Sequence, residues 1–148
     1  MSTLFAFLHH LAAFMLVSAI AVEFMLVRQE LTLGSARHLL ATDAVVGVSA
    51  TLLLVVGLAR VFYFEKGAAY YFASPAFLTK LSVFVVVAIL SVVPTLEFLS
   101  WRTAIRAGQV PQPSAKKIGV VRSVLHIELA GVIVIVLCAV IMARGGWV

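Results

Sequence analysis

The sequence is poor in charge and in cysteine. Charged residues make up 11% of the 148 positions, 11 Lys and Arg against 6 Asp and Glu, while 64% are hydrophobic. With a mean hydropathy of +1.17, this composition excludes an ordinary soluble domain and leaves a membrane protein. The one cysteine, Cys138, sits deep in the last apolar run with no CxxC partner, so no intramolecular disulfide is open to it. It reads as a small packing residue. There is no internal repeat and no low-complexity tract. No basic segment precedes the first apolar run, and that run is longer than a signal peptide needs; it reads as a retained helix. The net charge of +5 is no sign of nucleic-acid binding, because in a membrane chain the positions of basic residues set orientation.

What the chain has is four apolar runs, approximately residues 4–27, 43–62, 77–101 and 118–143. Twenty or so residues at about 1.5 Å rise cross the roughly 30 Å hydrocarbon layer, so each is long enough to span. Short connections leave nothing for a soluble module, and the expected fold is a single all-α domain, an integral membrane four-helix antiparallel bundle. Gly34-Ser35 reads as a helix stop and new N-cap, from which a helix beginning near Ala36 could run on into the second span, Ser74-Pro75 as a helix start, and Pro94 as a kink in the third span. Residues 102–117 read as the longest polar loop, held open by Gly108, Pro111 and Pro113. Arg102, Arg106, Lys116, Lys117 and Arg122 cluster after the third span, and Arg28 and Arg37 follow the first. That end is expected in the cytoplasm, with both termini and the aromatic stretch 63–76 on the outside.

Measured from the middle of each span, the ionisable side chains are sorted by sign. His10 and Lys80 each fall about 9 to 10 Å outward by helix rise, with His9, Arg60 and Lys66 nearby and only Glu65 to oppose them. Glu23, Asp43, Glu97 and Glu128 fall in the inner half, with His126 among them. Intramembrane ionisable residues mark function by default, although Lys80 and Arg60 could also snorkel to the interface. His10 and His126 lie about 16 Å apart in depth, too far to clamp one iron from two faces. On the fourth span Arg122 and His126 share a face, and Glu128 looks elsewhere.

A ligand for the outer layer should be apolar in body, able to accept a nitrogen donor, and anionic at its edge. A haem or other porphyrin meets all three demands, with imidazole on the iron and the propionates toward Arg60, Lys66 or Lys80; a quinone meets some. His10 is the expected iron ligand, with Lys80 as second ligand or propionate partner. Glu23, Asp43, Glu97, His126 and Glu128 are the expected proton or ion path. The alternative is a binding or transport protein for a divalent metal, of copper type, or for protons, without redox chemistry.

Several stretches resemble a known family. FLHHLAAFMLV in the first span, Gly57-Leu58 near the outer end of the second, TKLSVFVVVAIL in the third, and an Arg followed by a Glu at the start of the fourth resemble the HemJ-type protoporphyrinogen oxidases and the broader CopD-like group of small four-helix bacterial membrane proteins. The resemblance implies a bacterial cytoplasmic (inner) membrane location, haem b, and porphyrin oxidation or electron transfer to a quinone or other partner. It also allows for a homo-oligomer. His10 and Lys80 match that family's functional histidine and lysine, and Arg122 and Glu128 match its fourth-span pair more loosely. An Asn-Glu-x-Pro run in the fourth span is absent here, and the arginine-rich stretch after the first is reduced.

Overall fold

The computed structural model describes residues 2–145; Met1 and residues 146–148 lie outside them. Among the described residues every regular element is helical. α1 (Ser2–Leu26) is a single uninterrupted helix. α2 (Leu33–Ala59) follows after a short turn, and a π-helical turn, Arg60–Phe64, extends it. The short α3 (Ala68–Phe72) leads to the third span, which is built from α4 (Pro75–Leu90), α5 (Val92–Ser100) and α6 (Arg102–Arg106). α7 (Ala115–Ala143) closes the bundle. Among the described residues, four helical runs are long and apolar enough to cross a membrane: Ser2–Leu26, Leu33–Phe64, Pro75–Arg106 and Ala115–Ala143.

The helix of the second span starts at Leu33, three residues ahead of the Ala36 start that a Ser35 cap implies, because the cap is not where the glycine suggests. Thr32 is the N-cap: its Oγ1 accepts from the Ser35 amide at 3.1 Å, and the Ser35 hydroxyl oxygen accepts from the Thr32 amide at 2.8 Å. This reciprocal box satisfies two otherwise unpaired donors, and Gly34 simply joins the first turn. His38, in the polar stretch after the first span, is an exposed residue of α2. Ser74 caps α4, with Pro75 at its first position. The third span is interrupted at Ser91, three residues before Pro94, whose missing amide leaves the Leu90 carbonyl without its usual donor. The polar loop is shorter than residues 102–117, since α6 takes up its beginning and α7 starts at Ala115.

In lipid the apolar surface of a helix gives no drive toward another helix, so close packing at small residues carries more of the association. α1 packs most extensively on α2, and α4 on α7. Gly131 lies at the second seam: a Cβ there would stand 2.6 Å from Val87 Cγ2, so only glycine allows this approach. Two apolar cores result. One joins Leu16, Ala19, Ile20, Val46 and Val132; the other joins Val27, Leu39, Phe98, Trp101, Val121 and Leu125 nearer the basic loops.

Candidate functional site: two polar layers around an apolar core

The polar interior is divided by the first of those cores. At the end opposite the basic loops, His9 turns inward from α1. A Cβ on Gly57 would lie 3.0 Å from its Cε1, so the absence of a side chain on α2 makes the seat for this imidazole. His9 Nδ1 is shielded and, among the described residues, makes no well-formed hydrogen bond, although the Leu53 backbone is near enough to act on the imidazole. Lys80 and Arg60 are near enough for their charges to act on it. The Arg60 guanidinium is already paired, its Nη2 donating to Glu65 Oε1 at 2.6 Å; among the described residues, Lys80 has no such carboxylate.

His10 is the correction. Consecutive helical residues point about 100° apart, and where His9 faces Gly57, His10 faces out. It is exposed, with Nδ1 2.7 Å from the Ala6 carbonyl oxygen one turn back on its own helix. Lys66 likewise stays outside the bundle, its Nζ 4.5 Å from the Tyr70 ring centroid and 3.3 Å from the Tyr70 hydroxyl.

The second layer lies between the two apolar cores. Glu23 from α1, Asp43 from α2 and Glu128 from α7 are all buried, at 1%, 7% and 1% exposure, and among the described residues no basic side chain is buried with them. Glu23 lies within electrostatic reach of both other carboxyls. Thr95 donates its hydroxyl to Asp43 Oδ1 at 2.8 Å. Ser91 Oγ stands 2.5 Å from Glu128 Oε1 and 2.9 Å from the Val87 carbonyl oxygen. Glu23 Oε1 is buried without a partner.

The remaining members of the expected inner set do not join. Glu97 turns toward the basic loops, where Trp101 Nε1 donates to it at 3.0 Å and Lys117 Nζ lies 3.9 Å away. His126 is exposed, its ring 6.0 Å from that of Phe24. Sequence reasoning missed Ser91 and Thr95. The signal was available: the two hydroxyls stand at i and i+4 within an otherwise apolar run and therefore share a helix face. Beneath this layer a cleft of about 450 Å³ opens among the basic loops, lined by Val27, Leu39, Trp101, Pro111, Gln112 and Arg122. Arg122 Nε donates to the Val27 carbonyl at 3.1 Å, tying α7 to the end of α1.

Four long apolar helices around buried ionisable groups define a multi-pass membrane protein with a polar interior. The chain matches over residues 1–146 the family described as Predicted membrane protein (DUF2214), and it belongs to that family. No curated protein and no solved structure matches it.

Proposed function

We propose that the protein binds an anionic, ring-bearing ligand between its spans at the end opposite the basic loops, and that this ligand is haem b or a related tetrapyrrole. The observation that carries the reading is the inward His9, whose shielded Nδ1 makes no well-formed hydrogen bond among the described residues, the Leu53 backbone being nearby, while Lys80 and Arg60 stand beside it. Lys80, half-buried and without a carboxylate partner among the described residues, favours an anion, and carboxylates at the edge of a porphyrin are suited to it. The donor types fit the group, with His9 rather than His10 as the imidazole, Lys80 as the free cation, and Arg60 available once it releases Glu65. His10 and Lys66, on the outside, are in reach of a ligand only at the bundle surface. When bound, a tetrapyrrole would supply one-electron chemistry, which is also what the HemJ-type resemblance implies, with a quinone or a redox protein as partner. His9 would hold the group in place, and Lys80 would neutralise its charged edge. The copper-type alternative has less behind it: among the described residues no three His, Cys, Asp or Glu side chains come together as a metal-ion cage.

The test is an absorption titration of the purified full-length protein with haemin. A Soret band that His9→Ala removes and His10→Ala leaves in place is the expected result. Glu65→Gln, which frees Arg60, should tighten binding several-fold, as expected for releasing a cation from a salt bridge. A protein that takes up no haemin would overturn the proposal.

A further inference from the structure

The hydrogen inventory of the inner layer points to a second site, independent of any ligand in the outer one. A serine hydroxyl has a single hydrogen to give, yet Ser91 Oγ is in hydrogen-bond contact with two acceptor atoms, the Val87 carbonyl and Glu128 Oε1. One hydrogen shared between both acceptors makes two weak three-centre contacts. Each becomes a full hydrogen bond when Glu128 is protonated, its O–H donating to Ser91 Oγ while Ser91 donates to Val87. Thr95 faces no such conflict, because Asp43 is the acceptor for its hydroxyl. Glu23 completes the layer with an oxygen that nothing satisfies, at 1% exposure.

The electrostatics agree. Facing Glu23 are Asp43 from α2 and Glu128 from α7, while the third span contributes only the hydroxyls of Ser91 and Thr95. The charged groups beyond are occupied elsewhere: Arg122 donates to the Val27 carbonyl, Arg28 lies over the Phe24 ring, and Glu97 is with Trp101 and Lys117. The three carboxyls are not close enough to cage a metal ion, but they lie within electrostatic reach, and in such a medium, where Coulomb repulsion is several-fold stronger than in water, each disfavours the ionised form of the others. Apolar cores seal the layer on both sides, but the basic-end cleft reaches Val27 and Leu39, each one helical turn from a carboxyl residue, Glu23 and Asp43 respectively.

We propose that Glu23, Asp43 and Glu128 form a proton-binding site that retains a proton at neutral pH, held on Glu128 against Ser91, and exchanges it with water in the basic-end cleft. On release the Glu128 O–H bond breaks, the proton passes to a water molecule, and the carboxylate left behind accepts the Ser91 hydroxyl. Glu23 is the neighbouring acceptor through which the proton reaches the cleft.

Infrared spectroscopy of the full-length protein in lipid nanodiscs, without haemin, tests this apart from the tetrapyrrole proposal. At neutral pH the spectrum should contain the carbonyl stretch of a protonated carboxylic acid, shifting on transfer to heavy water. Glu128→Gln should abolish that band, Ser91→Ala should shift it by removing its hydrogen-bond partner, and Glu23→Gln should slow its deuterium exchange. If Glu128→Gln does not fold, the wild-type band and its response to Ser91→Ala decide. Absence of the band in the wild type, or its survival unchanged in Ser91→Ala, overturns the proposal. So does its loss on adding sodium at constant pH, which would assign the site to a metal cation.

Discussion

Single side chains decide the chemistry of this bundle, and neighbours along the chain take opposite roles. His9 is seated on Gly57 while His10 faces out; Glu128 is buried while His126, two residues earlier, is exposed. Tyr71 shows the same sensitivity in the segment between the second and third spans. Burial pushes its phenol above the ordinary tyrosine range and Glu65 adds to that, against smaller opposing effects of Arg60 and Lys66. Because the folded chain holds this proton more tightly than the unfolded one, the associated stability is present below the ordinary tyrosine pKa and declines as pH rises above it. An alkaline titration of phenolate absorbance should therefore contain a late step that Tyr71→Phe removes.

Helix boundaries here follow caps and interruptions more closely than composition. The Thr32 and Ser35 box starts α2 ten residues before its strongly apolar part, which makes the later part of the polar stretch after the first span helical and leaves only residues 27–32 as the connection. Thr32→Ala should cost about 1 kcal/mol, the usual worth of an N-cap, read as an earlier unfolding midpoint in detergent. The break at Ser91 has a different consequence. It lies one turn before Thr95, on the part of the third span that meets Asp43 and Glu128, so the interruption that Pro94 imposes coincides with the two hydroxyls of the inner layer.

The molecule as a whole is stratified along its axis: a cationic layer, an apolar core, a carboxyl layer, a second apolar core, then a cleft among basic loops. The excess of Lys and Arg in those loops predicts that they face the cytoplasm. Cys138 is buried, so a cysteine introduced at the surface can be labelled selectively. In intact cells Ala73→Cys should react with a membrane-impermeant maleimide and Lys116→Cys should not; the reverse pattern would invert the assignment.

The four spans, the levels of His9, Lys80, Glu23, Asp43 and Glu128, and the sorting of charge by depth were legible in the sequence alone. Hydropathy and helix rise are one-dimensional, and each span can be measured without its neighbours. The rotation of each helix about its axis was not legible. A span that is apolar on nearly every face carries no hydrophobic stripe to say which side meets the bundle, because lipid and protein interior are equally apolar. Only the packing of Gly57 under His9 and of Gly131 against Val87, together with the hydroxyls of Ser91 and Thr95 meeting their carboxyls, fixed those rotations, and with them which ionisable groups share a site.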